Sequence, residues 1–289
     1  MDIIIGLGSA GCAIADGFSE YPQYDVYKID AGLQKAKNSY ALPTGLDHQG
    51  YENAVPKNFS SFVKKVPKEG GILFVVCGSS FVSGASLRIL ENFKNRSVSI
   101  LYIKPDAEMI GGERQLQERL VYRVLQEYAR SGLFKEMMLV HNSTIEKMLG
   151  GVSIRNYHQK INETIISTIH MMNVFENSDP VLAQDTPSSD VSRISTLGIM
   201  DCEKNEESFF FPLDKVTEMR YYYGMNEDAL ESDSKALGNI RESVRIKKGE
   251  GLSQVGYSIH TTQYDRTIGY CVARSSQIQT FPEKSEKSS

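Results

Sequence analysis

A run of three isoleucines near the start of the chain leads directly into a glycine-rich turn. Residues 2–6 are a nearly continuous apolar segment, which is typical of a strand buried on both faces of a parallel sheet. Gly6, Gly8 and Gly11 follow with the spacing G-x-G-x-x-G, and residues 10–19 have a helical pattern. Strand, glycine turn and helix in this order predict a site where free helix N–H groups face a phosphate.

The alternation of strand and helix continues through the first two-thirds of the chain. Further strands are predicted at residues 24–29, 72–77, 98–103 and 137–140, and helices at 58–66, from 84 through 93, and at 113–131. This β-α-β order predicts an α/β fold with a doubly wound, mostly parallel sheet that gathers its ligands at the carboxyl ends of the strands.

A long helical pattern and a polar break divide the chain. Residues 153–175 carry one apolar stripe, with Ser153 as a candidate N-cap, and residues 177–190 lose all periodicity. The predicted organisation is a nucleotide-binding domain at 1–152, a central helix at 153–176, a linker at 177–193, a small α+β C-terminal domain at 194–279 and a disordered tail at 280–289.

The C-terminal part has a mixed pattern. Strands are predicted near 194–202 and 209–211, a helical region from Leu213, and a hairpin made by 254–260 and 267–273. The run Tyr221-Tyr222-Tyr223 is consistent with core packing and with a partner-binding surface.

Composition excludes several classes of protein. The 289 residues carry a net charge of −4 and no apolar run near the roughly 18 residues of a membrane span, so we expect neither membrane nor direct nucleic-acid binding. Four scattered cysteines without a C-x-x-C pair predict a cytoplasmic protein with no metal site.

The first glycine turn allows two interpretations. Asp30 ends the second predicted strand at the distance from Gly11 where a dinucleotide-binding fold places its ribose-binding acid, which favours an NAD-dependent oxidoreductase. The alternative explanation is that the glycines only allow the strand and the helix to pack closely.

A second strand, loop and helix follow at residues 72–93. Gly78 and Gly84 frame a loop rich in serine after the third strand, and two such loops can converge on one polyphosphate.

With both loops in place, the chain resembles the tubulin/FtsZ superfamily over residues 2–176. The similar segments, in unbroken order, are IIIGLGSAGCAIADGF, KIDAGL, FVVCGSSFVSGAS, LYIKPD, LVHNSTIEKML and SIRNYHQKINETIISTIHMM. The resemblance implies a tubulin/FtsZ-like nucleotide-binding domain that binds GTP or GDP, with Mg²⁺ as a possible companion ion.

The resemblance also implies roles for individual residues. Contacts to the phosphates and ribose fall on Gly6, Gly8, Ser9, Ala10, Gly11, Cys12, Asp30, Gly78, Ser79, Ser80, Ser83, Gly84 and Arg114. Contacts to the nucleoside fall on Asn142, on Tyr157 or His158 as a stacking ring, and on Asn162, whose amide can read guanine.

Simpler explanations exist for several of these side chains. Tyr157 can be a core residue, Asn162 a polar residue at a helix–sheet seam, and Asn142 the cap of a helix that starts at Thr144. Arg114 can be a solvated helix residue.

The chain departs from the family's pattern in two places. The expected G-G-G-T-G-[ST]-G loop contains Phe81 and Val82, which resist the positive φ that glycines allow. The nearest candidates for the catalytic acids are Asp185 and Asp190, without the family's spacing, so we expect slow or absent GTP hydrolysis.

Three functional hypotheses follow. The first is a divergent FtsZ-like protein that self-associates head to tail into filaments, with the C-terminal region as a candidate surface for an adaptor protein. The second is a non-polymerising structural or regulatory relative that has lost nucleotide chemistry, and the third is the NAD-dependent oxidoreductase.

Overall fold

The computed structural model describes residues 1–34, 36–106, 108, 110–184 and 189–280. Within them, the strands are β1 (Ile3–Leu7), β2 (Asp25–Ala31), β3 (Ser39–Leu42), β4 (Ile72–Cys77), β5 (Val98–Lys104), β6 (Glu136–His141), β7 (Leu182–Gln184), β8 (Ile194–Asp201), β9 (Glu206–Phe209), β10 (Glu218–Met225), β11 (Gln254–Thr261) and β12 (Ile268–Ser275). The α-helices in the same ranges are α1 (Gly8–Phe18), α2 (His48–Ala54), α3 (Ser60–Val63), α4 (Ser86–Leu90), α5 (Gly112–Arg130), α6 (Asn142–Met148), α7 (Tyr157–Glu176), α8 (Glu227–Ser232) and α9 (Ala236–Gly249).

The strands form one sheet in the order β3-β2-β1-β4-β5-β6-β8-β12-β10-β11-β7, and β9 pairs with β8. All neighbours from β3 to β8 are parallel. Beyond β8 the sheet is mixed, because β12 runs antiparallel to β8 and β10 while β11 is parallel to β10. The predicted α/β architecture with a mostly parallel sheet is confirmed.

Both faces of the parallel half are covered, which explains the continuous apolar run of β1. Ile3 and Ile5 belong to one hydrophobic cluster, whereas Ile4 belongs to a second cluster on the opposite face with residues of α1 and α7. A third cluster lies among residues 200–273. The predicted domain boundaries stay a prediction, since the sheet itself is continuous from one part to the other.

The long helix α7 crosses the sheet. Its 20 residues span about 30 Å at the α-helical rise. Near its C-terminus, the Asn173 amide donates to the Met1 carbonyl at 3.0 Å, next to the amino end of β1. The predicted Ser153 N-cap is wrong, because a 3₁₀ turn over Ile154–Asn156 precedes the helix and no side chain caps its start.

The predicted C-terminal hairpin is also wrong. β11 and β12 are both present, but β10 lies between them and pairs with each. The segment after Leu213, predicted to be helical, forms this strand, and helices begin only at Glu227. Tyr221, Tyr222 and Tyr223 are buried in β10, which confirms core packing and excludes the partner-binding surface.

Smaller differences concern the first half and the second predicted C-terminal strand. β3 and α2 were not predicted, and the helix expected at 58–66 is reduced to α3. The strand expected at 209–211 is β9, which ends at Phe209. No helix in the described part of the chain is long and apolar enough to cross a membrane.

Candidate functional site

The first glycine turn lies at the edge of the sheet where the parallel strands end, which we call the carboxyl edge. A Cβ atom on Gly6 would collide with the Gly11 carbonyl oxygen, and one on Gly11 with the Val75 carbonyl oxygen. Gly8 has a φ of +72° at the first residue of α1, a conformation that L side chains rarely adopt. Packing therefore requires two of the glycines, and the backbone conformation requires the third.

The second loop, residues 78–84, accommodates Phe81 and Val82 because it has a helical conformation that does not need positive φ angles. Phe81–Ala85 is a 3₁₀ helix, and none of the described residues of the loop has a positive φ. Val82 packs into the first hydrophobic cluster, and the Ser83 hydroxyl donates to the Gly78 carbonyl oxygen at 3.1 Å. Ser79, Ser80 and Phe81 are half-buried, and Phe81 also packs against the first hydrophobic cluster.

Both glycines of this loop are required by contacts with neighbouring elements. A Cβ atom on Gly84 would collide with the His48 carbonyl oxygen of α2, and one on Gly78 with the Tyr102 hydroxyl of β5. Tyr102 donates to Glu118 Oε1 at 2.8 Å, and Glu118 forms a buried ion pair with Lys104 at 2.6 Å. The sequence did not reveal this buried network, which contacts the second loop through the Tyr102 hydroxyl at Gly78.

The two loops face each other. A Cβ atom placed on Gly8 would lie 3.4 Å from Ser80 Oγ. The N-terminus of α1 and the start of the 3₁₀ helix therefore lie close to each other. Because residue 8 is glycine, no side chain fills the space between Gly8 and Ser80. Arg114, near the start of α5, lies over the Phe81 ring, with its guanidinium carbon 5.1 Å from the ring centroid.

Some side chains of the first loop are exposed to solvent, and others are buried in the protein. Ser9 and Ala10 are exposed, and the Ser9 hydroxyl donates to Asp30 Oδ2 at 3.0 Å. Asp30 also accepts from the Ala31 backbone N–H at 2.8 Å. The Cys12 thiol points inward, where burial raises its pKa to about 12, so only its backbone is available to a ligand.

The nucleoside end of the predicted site lies where β5 and β6 end. Asn142 is half-buried and is the first residue of α6, so it does not cap a helix starting at Thr144. His141 Nε2 lies 2.9 Å from Asp106 Oδ1, which also accepts from the Ser143 hydroxyl at 2.5 Å. Burial lowers the pKa of His141 despite the opposing effect of Asp106. Asp106, His141 and Ser143 were missed, although their positions just after two parallel strands were a signal for them.

The start of α7 brings the last predicted residues to this edge. The Tyr157 ring packs against the second hydrophobic cluster, and burial raises the pKa of its hydroxyl. His158 is exposed, with its ring 5.2 Å from that of Tyr157. Asn162 is half-buried one helical turn further along.

The predicted catalytic acids are not brought to this site. Asp190 precedes β8 at the amino ends of the parallel strands, the edge opposite the glycine loops. It is fully exposed and pairs with Arg193 at 3.3 Å. Asp185 lies outside the described residues. Among the described residues, no cluster of His, Cys, Asp and Glu is arranged to hold a metal ion.

Comparison with known proteins places this geometry in a structural class. No protein-family model matches the chain, and no curated protein does. Solved structures do match. An FtsZ dimer from M. jannaschii, described as empty, has a TM-score of 0.71 at 11% identity and covers 95% of this chain and 88% of its own. The chain has the tubulin/FtsZ fold.

Two further structures with this fold differ in their reported state. TubZ of Bacillus thuringiensis serovar israelensis, a GTPγS-form protofilament, matches with a TM-score of 0.71 at 15% identity, covering 95% of this chain and 86% of TubZ. CetZ1 from Haloferax volcanii, a GDP-bound monomer, matches with a TM-score of 0.69 at 14% identity, covering 96% and 94%. The TM-scores, at identities of only 11–15%, support the fold predicted from the sequence motifs.

Proposed function

We propose that the chain binds a guanine nucleotide between its two glycine loops and self-associates head to tail. The observation that carries this proposal is the approach of Gly8 to Ser80 across a space that a Cβ atom would enter. Backbone N–H groups at the start of α1 and of the 3₁₀ helix are suited to phosphate oxygens, because helix N-termini carry free donors and positive dipole.

The nucleoside would lie toward α6 and α7. Tyr157 packs against the second hydrophobic cluster whereas His158 is exposed, so His158 is the ring that we assign to stacking on the base. Asn162 lies on the same face of α7 and offers a donor and an acceptor to guanine, and Asn142 contacts the nucleoside beside it. Mg²⁺ would bind with the nucleotide, through phosphate oxygens and water.

Head-to-tail assembly is favoured by the position of the two edges of the sheet. The glycine loops occupy the carboxyl edge of the sheet and Asp190 the opposite, amino edge. A heterologous contact between these edges produces a filament when the rotation that relates successive subunits does not close into a ring. The solved TubZ protofilament and FtsZ dimer are assemblies of proteins with this fold.

Hydrolysis is proposed to be slow or absent. Asp190 is fully exposed and paired with Arg193, so it is not held in a position to orient a water molecule. Phosphate release from GTP should stay near the protein-free rate at every protein concentration. Rapid release that rises with protein concentration would contradict this part of the proposal.

A thermal-shift panel with GTP, GDP, ATP and NAD, followed by pelleting, tests the proposal against its alternatives. A ligand present at 100 times its Kd stabilises the native state by about 2.7 kcal/mol. We expect GTP and GDP to raise the melting temperature more than ATP, and GTP to increase the pelleted fraction. Indifference to every nucleotide would select the non-polymerising relative, and a response to NAD alone the oxidoreductase.

Two coarser expectations accompany the proposal. Among the described residues, Cys12, Cys77, Cys202 and Cys271 are all free, which agrees with the proposed cytoplasmic location. The adaptor contact of the C-terminal region stays a prediction.

A further inference from the structure

An isoleucine at the carboxyl edge is almost completely exposed. Ile154 lies in the connection between α6 and α7, which follows β6, and 96% of its surface is accessible to solvent. Leu149, in the same connection, is exposed as well. The 3₁₀ turn Ile154–Asn156 has no buried residue, so packing within the chain does not require an apolar side chain there.

A second apolar pair lies at the amino edge of the same part of the sheet. Leu133 precedes β6 and Val191 precedes β8, and both side chains are exposed. The two connections are joined, because Arg193 Nη1 donates to the Phe134 and Lys135 carbonyl oxygens at 3.3 and 3.1 Å. Since β6 and β8 are paired in parallel, Leu133 and Val191 occupy neighbouring positions along this edge.

Lysines surround this second pair. The connections that lead into β4, β5, β6 and β8, residues 64–71, 94–97, 130–135 and 189–193, contain eight basic and two acidic residues. Five exposed lysines are among them: Lys64, Lys65, Lys68, Lys94 and Lys135. The four strands are adjacent and span about 15 Å. We call this surface, with Leu133 and Val191, the amino face.

The carboxyl edge has the opposite charge. The connections that follow β5, β6, β8 and β10, residues 105–114, 142–156, 201–206 and 226–235, contain eleven acidic and five basic residues. We call these connections, with Ile154 and Leu149, the carboxyl face. The two opposite faces of one chain therefore each combine exposed apolar side chains with a charge of opposite sign.

We infer that the amino face of one copy binds the carboxyl face of the next copy, with Leu133 and Val191 packed against Ile154. The inference rests on the proposed function, head-to-tail self-association, and identifies the side chains that meet. A translation along the strands brings the amino end of β6 in one copy to the carboxyl end of β6 in the next. Apolar residues then meet apolar residues, and lysines meet carboxylates.

The composition of both faces favours a second copy over other partners of a basic surface. A nucleic acid or an anionic membrane would match the lysines, but it would leave Ile154 uncovered at the opposite edge. A contact between copies covers both apolar pairs at once, and the charged residues around them match in sign. Apolar side chains at the centre with charged residues around them are typical of protein interfaces.

Two variants, each with one altered face, test this contact by sedimentation velocity in the presence of GTP. Leu133→Asp places a charge in the amino face, and Ile154→Asp places one in the carboxyl face. Each variant alone should remain monomeric at concentrations where wild type assembles. An equal mixture should form a heterodimer and nothing larger, because each variant keeps one intact face and the contact is heterologous.

Two controls separate the contact from folding and nucleotide binding. Leu120→Asp changes an exposed leucine in the middle of α5, between the two edges, and should assemble like wild type. All three variants should keep the increase in melting temperature that GTP gives wild type. Wild-type assembly should weaken at about 1 M salt, where the Debye length is about 3 Å.

The outcomes distinguish this inference from the proposed function. Assembly of Leu133→Asp and Ile154→Asp like wild type would overturn the inference and leave head-to-tail association intact. A mixture that stays monomeric would show that the two faces do not bind each other, which also overturns it. Failure of wild type to assemble at all would overturn the proposed self-association itself. Binding of a labelled DNA duplex or of phosphatidylserine vesicles to the amino face, without self-association, would identify a different occupant and overturn the inference.

Discussion

Replacing Gly8 with alanine should have a small effect on the stability of the fold and a large effect on nucleotide binding. Gly8 has a φ of +72°, where an L side chain costs about 1–2 kcal/mol. Its new Cβ atom would be in ordinary contact distance of Ser80, 3.4 Å from Oγ, so no collision adds to that cost. Unfolding entropy is about 2.1 cal/mol/K per residue, or about 0.6 kcal/mol/K for 289 residues. G8A should therefore lower the melting temperature by only about 2–3 °C.

The same methyl group should abolish the response to nucleotide, because it enters the space between the two loops. In wild type, GTP at 100 times its Kd should raise the melting temperature by about 4–5 °C. In G8A this increase should disappear, as measured by differential scanning fluorimetry with and without GTP.

G11A is the matched control, because its Cβ atom would collide with the Val75 carbonyl oxygen of the adjacent strand. It should cost about 3 kcal/mol whether or not nucleotide is present. A full GTP response in G8A would refute the placement of phosphates between Gly8 and Ser80.

Three further predictions concern stability and specificity. Asn162→Ala should reduce the preference for GTP over ATP by about tenfold in competition binding, because the amide that reads guanine is lost; an unchanged preference would remove Asn162 from the site. Gln279→Ala should destabilise the fold by about 2 kcal/mol in urea unfolding, because buried Gln279 accepts from the Asp214 backbone N–H at 2.7 Å and donates to the Asp214 carbonyl oxygen at 3.2 Å. Glu136→Gln should cost about 3 kcal/mol at pH 7, because Arg274, 2.7 Å from Glu136, would stay buried without its partner.

Glu136 also predicts how stability depends on pH. Burial acts to raise the pKa of Glu136, but Arg274 outweighs it and holds that pKa below the ordinary value of 4.5. A carboxylate with a lowered folded-state pKa stabilises the fold above the unfolded pKa, and this contribution is lost as pH falls through the folded value. The stability difference between wild type and Glu136→Gln should shrink below about pH 4. A constant difference from pH 7 to pH 3 would contradict the assignment.

Local pattern was sufficient for the parallel half of the sheet. β4 has the bounds predicted from its apolar run, and the order of strands and helices led to two loops at one edge. Residue type also located Gly8, because few residues besides glycine adopt its conformation.

Local pattern failed where the result depends on distant contacts. β11 and β12 are neighbours in sequence, which favours a hairpin, but β10 pairs with both, with Tyr222 facing one hydrophobic cluster and Tyr221 and Tyr223 another. Three consecutive buried tyrosines are typical of a strand covered on both faces, a signal that the helical prediction overlooked. The buried pair Lys104–Glu118 could not be predicted, because it depends on the contact between α5 and β5.

Isothermal titration calorimetry of GTP binding to the purified chain is the most direct test of the proposed site. One binding site per chain is expected, with ATP at least about tenfold weaker and with the heat lost in G8A. The absence of GTP binding heat in wild type, together with unchanged melting temperature at millimolar GTP, would contradict nucleotide binding between the two loops.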